Sequence, residues 1–185
     1  MKSNQFGRSM IEMLGVLAIV GVLSVGGLDM ISKSRRNNQT AELLSGVSDM
    51  AGTLLQNRKY ASEIASNTGY NGNCVKFLKQ AGKIPNALNY DSSTGNLTSA
   101  IGATVSAQAD SSGTFIISVS GVDREICIKM ASADWGSFRT NRFIGVSVGS
   151  ASGFASNSSS KMAVAAATAA CSSSTANTVN WGYKF

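Results

Sequence analysis

The start of the chain carries a long apolar run with a single acidic residue near its beginning. A short polar leader ends at Gly7, Glu12 follows, and residues 13–28 are uncharged. Counted from Met10, the run approaches the ~20 residues that a helix needs to cross a bilayer. A carboxylate near the start of such a helix costs roughly 2.5–3.5 kcal/mol on insertion scales, so it usually marks a function. The pattern predicts a membrane-length helix in which Glu12 needs a partner.

The pattern becomes amphipathic after Asn38. Four apolar residues follow the 4-3-4 spacing of one helix face: Leu43, Val47, Met50 and Leu54. This spacing predicts that the first helix continues, with one face available to a globular head. A helix over residues 9–58 would be ~75 Å long, too long for burial in one small domain. Its front half therefore needs another environment, either lipid or neighbouring subunits.

The rest of the chain predicts short helices and strands. Helices are predicted at Cys74–Leu78, after Asp123 as a cap, and in the Ala-rich piece Lys161–Ala170. Strand signals are a hairpin around Leu97–Val105 and three alternating runs, Phe115–Val119 ending at Gly121, Ile144–Val148 and Val179–Phe185. No parallel βαβ repeat is visible, so the simplest packing is an antiparallel sheet against the back half of the first helix. The predicted fold class is α+β.

Composition narrows the range of functions. The chain has no His, which excludes His-based general base catalysis and His metal ligation. No nucleophile–base pair, carboxylate dyad or phosphate-binding Gly loop is visible, so we predict no enzyme activity, no cofactor and no metal site. Charged residues are 14% of the chain, against a usual ~25%, which suits packing among copies of the chain. The net charge is +6, but Lys and Arg are scattered, so DNA binding is unsupported by the sequence.

The apolar run is predicted to stay with the mature protein. A secretory signal peptide would end in small residues of the A-x-A type. Here the run passes straight into Asp29, Lys33, Arg35 and Arg36, with no such site. The helix is therefore not expected to be removed as a whole.

One stretch at the start of the run resembles a known family. The residues Gly7-Arg8-Ser9-Met10-Ile11-Glu12-Met13-Leu14, followed by the apolar run, resemble the processing site and first helix of type IV prepilins. The resemblance implies that a prepilin peptidase cuts between Gly7 and Arg8 and that the new N-terminus, Arg8, is methylated. It also implies that Glu12, then the fifth residue, pairs with the N-terminus of a neighbouring subunit during assembly. Burial of a carboxylate is tolerated when it is paired.

Arg8 is an alternative partner for Glu12. Arg8 lies four residues before Glu12 and can reach it within one helix. In that case Glu12 would be neutralised without a neighbour.

Three glycines lie inside the apolar helix: Gly21, Gly26 and Gly27. Each lowers helix preference by about 1 kcal/mol relative to Ala. One interpretation is close helix packing through small residues in a membrane. The other, implied by the resemblance, is a stretch that loses helicity when the subunit leaves the bilayer for a filament.

A second stretch resembles type IVb pilins, the class of the toxin-coregulated pilin. The residues Phe115 to Cys127 resemble its strand, turn and Cys-bearing helix. The spacing of three cysteines cannot choose among three pairings, and three reduced thiols are also possible. The resemblance implies a disulfide between Cys127 and Cys171, with Cys74 left unpaired. A disulfide implies an oxidising compartment.

The resemblances imply four segments. These are a leader (1–7), a transmembrane and filament-core helix (8–31), the amphipathic half of that helix (32–58) and an α+β pilin head (59–185).

The function expected from the resemblance is structural. We expect a type IV pilus subunit, anchored in the bacterial inner membrane as a precursor. Inner-membrane assembly machinery would then polymerise it with copies of itself into an extracellular filament for adhesion, aggregation, motility or DNA transfer. The alternatives are a minor pilin or type II secretion pseudopilin, and a membrane-anchored periplasmic binding module.

Overall fold

The computed structural model describes residues 6–135, 142–150, 154 and 161–185. Within the first helix, the side chains described are those at positions 13, 14 and 17 and from position 30 onward. The chain forms two compact units, Met1–Asn38 and Gln39–Phe185. Helix α1, Phe6–Gln56, begins in the first unit and ends in the second. The long first helix predicted from the sequence is confirmed.

In the second unit, α1 places one apolar face in the core. The four residues at the predicted spacing are at most 1% exposed: Leu43, Val47, Met50 and Leu54. They belong to one cluster of buried side chains that includes residues of the sheet. Burial of each such side chain contributes roughly 1.5–3 kcal/mol relative to exposure. This face therefore ties the back of α1 to the head.

A 3₁₀ turn and two short helices follow α1. The turn is Arg58–Tyr60, α2 is Ala61–Ser66 and α3 is Cys74–Gln80. Asn73 caps α3, because its side chain accepts hydrogen bonds from two backbone N–H groups of the first turn. Gly82, with φ at +64°, follows the end of α3 in the left-handed conformation that glycine favours. The helix predicted at Cys74–Leu78 is confirmed, whereas α2, which buries Ile64, was not predicted.

Among the described residues, six antiparallel strands form one sheet in the order β1-β2-β3-β4-β6-β5. The strands are β1 Asn89–Asp91, β2 Asn96–Thr98, β3 Thr104–Ala109, β4 Thr114–Val122, β5 Phe143–Val148 and β6 Asn177–Lys184. The predicted hairpin is confirmed, because Leu97 of β2 pairs with Val105 of β3. The sequence pattern missed β1.

Strand β4 alternates as predicted, with Phe115, Ile117 and Val119 fully buried. It does not end at Gly121, as the sequence suggested, but continues to Val122 with an irregular register.

Two helices lie near the second half of the sheet. They are α4, Arg124–Ser132, and α5, Val164–Ala170, and they pack against each other. The predicted cap of α4 is present, since Ile126 N donates to Asp123 Oδ1 at 2.9 Å. The Ala-rich piece forms α5, as expected from its composition.

Strand β6 lies between β4 and β5, and both of its faces are covered. Of the four residues that the alternation places on one side, Val179, Trp181 and Tyr183 are buried, whereas Phe185, just beyond the end of β6, is half-buried. On the opposite face Asn180 is only 1% exposed and Gly182 is also buried. A Cβ at position 182 would lie 3.1 Å from the Phe154 ring, so the close approach of this ring favours glycine.

Aspartate side chains stabilise two of the hairpin turns. Asp91 accepts hydrogen bonds from the hydroxyl and backbone N–H of Ser93, which lower the pKa of the Asp91 carboxyl. Slight burial would raise the pKa of Asp110, but hydrogen bonds from Ser112 and Thr114 outweigh it and leave the pKa lowered. Both carboxylates therefore serve the local geometry of their turns.

Two glycines of α1 allow a matched test of the packing. A Cβ at Gly46 would lie 3.0 Å from Leu88 Cγ, whereas a Cβ at Gly52 would meet nothing within 4 Å. Helix propensity favours Ala over Gly by about 0.8–1 kcal/mol. We expect Gly52→Ala to raise the free energy of unfolding by about that amount. Gly46→Ala should gain less or lose stability, because overpacking costs about 1–3 kcal/mol.

The measurement is chemical denaturation of the full chain in nonionic detergent, followed by tryptophan fluorescence. Both tryptophans, Trp135 and Trp181, lie in the head, so the signal reports the unit that contains both glycines. Equal gains for the two variants would contradict close packing of α1 against Leu88.

Candidate functional site

The residues of the predicted processing site lie in the first unit. Gly7, Arg8 and Glu12 belong to helix α1. Their side chains, and the leader residues 1–5 altogether, lie outside the described residues. The cut after Gly7 and the pairing of Glu12 stay predictions.

Helix α1 runs through the three glycines of the apolar segment, Gly21, Gly26 and Gly27. The backbone is helical at all three positions. Both interpretations, packing through small residues and loss of helicity in a filament, stay predictions.

Among the described side chains of the first unit, large apolar ones along α1 are exposed. Five are between 58% and 76% exposed: Met13, Leu14, Leu17, Met30 and Ile31. Large exposed apolar patches mark interaction sites with proteins or membranes. Over the described residues, no helix combines the length and the apolar character that crossing a membrane requires.

A disulfide joins α4 to the end of α5. Cys127 and Cys171 are bonded, their Cα atoms are 6.0 Å apart, and both are fully buried. This is the pairing that the resemblance to type IVb pilins implies. The bridge closes a loop with a sequence separation of 44 that contains β5 and α5. We call residues 127–171 the bridged region.

Hydrogen bonds also hold the bridged region, both within it and to its surroundings. Within it, Met162 N donates to Ala131 O at 3.1 Å, which ties the approach to α5 onto the end of α4. The Arg124 guanidinium donates to Thr168 O at 3.4 Å. Pairing of β5 with β6 adds a third attachment. The ends and one strand of the region are therefore fixed to the core, and residues 151–153 and 155–160 between them lie outside the described residues.

Two tryptophans form a contact that sequence reasoning missed. The ring centroids of Trp135, after α4, and Trp181, in β6, are 4.7 Å apart. Trp135 Nε1 donates to Met130 O at 2.8 Å, while the buried Trp181 Nε1 has no hydrogen-bond partner among the described residues. Nothing in the spacing of the two residues signals this contact. It anchors the part of the bridged region after α4 on strand β6.

A surface cleft of about 260 Å³ lies beside this contact, between α1 and the sheet. Its lining includes Asp49, Gly52, Trp135 and Tyr183. Burial raises the pKa of the Tyr183 hydroxyl well above its usual value, so this group stays protonated at neutral pH. In the part of the chain that the structure describes, no group of three His, Cys, Asp or Glu side chains is placed to hold a metal ion.

The third cysteine, Cys74 at the start of α3, is a free thiol and is fully buried. Burial raises the pKa of the Cys74 thiol to about 12, although backbone hydrogen bonds of Cys74 and Ala109 partly oppose this effect. A buried protonated thiol behaves as a small apolar side chain.

Removal of the bridge should destabilise the head. The double variant Cys127→Ala, Cys171→Ala is expected to lose about 4 kcal/mol of unfolding free energy, the chain-entropy value for a loop of this length. The control Cys74→Ala, which removes a buried thiol but no bridge, should lose about 1 kcal/mol. Guanidinium denaturation under non-reducing conditions compares the variants, and equal losses would contradict a constraining role for the bridge.

The raised pKa of Cys74 predicts slow labelling of the folded chain. At pH 9 a thiol with the ordinary pKa of 9.0 is about half ionised, whereas one with a pKa of about 12 is ionised to roughly one part in a thousand. We therefore expect iodoacetamide to label Cys74 at least about 100-fold more slowly in the native protein than in denaturant. Mass spectrometry after timed quenching measures both rates, and rapid native labelling would contradict the burial of this thiol.

The stability of the head should also depend on the ionisation of Cys74. Because the folded pKa lies above the unfolded one, this contribution is complete below about pH 9 and is lost as the pH rises towards about 12.

One protein family matches most of the chain. The family model described as PilS N terminal matches residues 47–184. The matched residues contain the end of α1, the whole sheet and both bonded cysteines. No curated protein sequence matches the chain. Because the match spans well over half of the sequence, the chain belongs to the PilS N-terminal family, which is related to type IV pilins.

Proposed function

We propose that the chain is the precursor of a structural type IV pilus subunit, held in the bacterial inner membrane by α1 and then polymerised into a surface filament. Membership of a pilin-related family supports this, as does the α+β fold with a long first helix and a bridged region. The observation that carries the proposal is the start of the chain, where Gly7, Glu12 and the apolar run occur at the prepilin spacing.

Maturation is proposed to occur at the Gly7–Arg8 bond. A prepilin peptidase would remove residues 1–7 and leave Arg8 as the methylated N-terminus. The support is the residue pattern from Gly7 to Leu14. Removal of the leader places a free amine four residues before Glu12.

Assembly is proposed to bury the part of α1 that lies in the first unit among copies of the same chain. The described large apolar side chains of this unit, such as Leu14 and Leu17, are exposed. A carboxylate at Glu12 resists burial unless a cation pairs with it. The N-terminal amine of a neighbouring subunit meets this requirement and would set the register of one helix against the next. Inner-membrane assembly machinery would supply the subunits.

Export is proposed from the disulfide bridge. Disulfides persist in oxidising compartments such as the bacterial periplasm and cell surface. The buried pair Cys127–Cys171 therefore favours a head outside the cytoplasm. The proposed role is structural, with no catalytic function.

Replacement of the acid in α1 tests this proposal. Glu12→Ala should leave the protein stable in the membrane and should reduce its incorporation into filaments to near zero, because the helix loses the charge that pairs with its neighbour. The matched control is Glu42→Ala, which removes an exposed carboxylate of the same helix within the second unit. Shearing of cells followed by immunoblotting of filament and membrane fractions gives the readout.

Two outcomes would contradict the proposal. Normal filaments from Glu12→Ala would mean that Glu12 needs no neighbouring amine. N-terminal sequencing of the exported protein should find methylated Arg8, and a chain that still begins at Met1 and stays monomeric without detergent would rule out the pilin mechanism.

A further inference from the structure

The surface cleft between α1 and the sheet has one wall formed by a strip of α1 itself. Ser48, Gly52 and Leu55 line this wall at intervals of four and three residues, so they lie on the same face of the helix. A Cβ at Gly52 would meet nothing within 4 Å, so the space above this residue is open. Glycine also allows another segment to approach the backbone closely. We call this surface the α1 cleft.

Two polar groups that line the α1 cleft have no partner among the described residues. The Asp49 side chain is exposed and forms neither an ion pair nor a hydrogen bond within the described part of the chain. Tyr183 is only 3% exposed, and none of the described residues forms a hydrogen bond with its hydroxyl. Buried polar groups normally have a hydrogen-bond partner. The α1 cleft therefore offers a carboxylate and a hydroxyl to a group from outside.

The chemistry of the α1 cleft suits an arginine side chain. The Asp49 carboxylate can accept two parallel hydrogen bonds from one guanidinium group. Trp135 lines the same cleft, and a guanidinium group stacks on aromatic rings more readily than an ammonium group does. Ala51 and Leu55 provide apolar surface for the aliphatic stem of the side chain. An arginine therefore uses every part of the cleft, whereas a lysine would use mainly its charge.

The charges of α1 are segregated along the helix. After Asp29, residues 30–41 contain three cations and no acid: Lys33, Arg35 and Arg36. Residues 42–56 contain two acids and no cation: Glu42 and Asp49. Copies of this helix aligned at the same height would place like charges together, which is unfavourable. Copies staggered along their axes place the basic stretch of one helix beside the acidic stretch of the next.

Arg35 is the cation of the basic stretch that is available for such a contact. Its side chain is exposed and interacts with no other described residue, whereas Lys33 and Arg36 already interact within the chain. Ile31 lies four residues before Arg35, on the same face of the helix, and is 58% exposed. An apolar and a cationic side chain are thus neighbours on α1, and the α1 cleft is lined by apolar and acidic residues that match them.

We propose that the α1 cleft binds Arg35 of a second copy of the chain in the assembled filament. This inference rests on the proposed function, because filament assembly brings the α1 helices of different copies together. The two surfaces differ, so the contact is head-to-tail and can repeat along an open filament. A subunit of a filament has several neighbours, and this contact is separate from the pairing of Glu12 with an N-terminal amine. It would fix the stagger between the two copies that share it.

Charge reversal in intact cells tests the contact. Asp49→Arg and Arg35→Asp should each reduce incorporation into filaments about tenfold or more, because each variant places like charges at the contact. The double variant Arg35→Asp, Asp49→Arg restores opposite charges and should return to within about threefold of the wild type. The control Glu42→Arg makes the same charge change on α1 outside the cleft and should assemble normally. Immunoblotting of sheared filaments and of the membrane fraction gives the readout.

Filling the α1 cleft tests the contact without a change of charge. Gly52→Leu should fold, since the space above position 52 is open, but should assemble poorly because its side chain occupies the place of Arg35. The control Ser45→Leu adds the same side chain at an exposed position of α1 outside the cleft and should assemble normally. Circular dichroism and an intact Cys127–Cys171 bridge verify that each variant folds.

The outcomes separate this inference from the proposed function. A wild-type chain that never enters filaments would overturn the proposed function and this contact with it. Normal assembly of Asp49→Arg and Gly52→Leu, with wild-type filaments present, would overturn the contact alone. Equal losses in Asp49→Arg and Glu42→Arg would assign the effect to the net charge of α1. Impaired single variants without recovery in the double variant would mean that Asp49 binds a cation other than Arg35.

Discussion

The head depends on the burial of one face of α1 against the sheet. A sheet whose strands alternate apolar and polar residues needs a cover on its apolar side, and a single helix of suitable length provides it. The cover consists of four residues of α1: Leu43, Val47, Met50 and Leu54. They belong to one buried cluster with apolar residues of β4 and β6. The same helix before Asn38 has its described large apolar side chains exposed. One continuous helix thus has a buried apolar face in the second unit and exposed apolar side chains in the first.

The second constraint is the attachment of the bridged region. The disulfide, the Trp135–Trp181 contact and the pairing of β5 with β6 hold it at separate points. The sequence between β5 and α5 is dominated by Ser, Gly and Ala. Such a segment tolerates changes of sequence better than the strands that hold it.

Sequence reasoning predicted the elements that local patterns define. Three such patterns each span only a few residues and occur in the structure as predicted. They are the apolar stripe from Leu43 to Leu54, the alternation in β4 and the helix cap at Asp123. Features that depend on contacts between distant residues were missed. Strand β1 has only three residues and is recognisable by its pairing with β2, and the Trp135–Trp181 contact joins separate elements. The Cys127–Cys171 disulfide was predicted from the resemblance to type IVb pilins, because the spacing of the three cysteines alone allowed three pairings.

The position of β6 has a consequence for the order in which the head folds. This strand follows every other strand in the chain, yet it lies between β4 and β5 in the sheet. Until β6 has been synthesised, β4 has an open edge and β5 has no neighbour in the sheet of the described residues. Exposed strand edges invite pairing with other chains. A nascent head is therefore vulnerable to aggregation or proteolysis until its final strand pairs with β4 and β5.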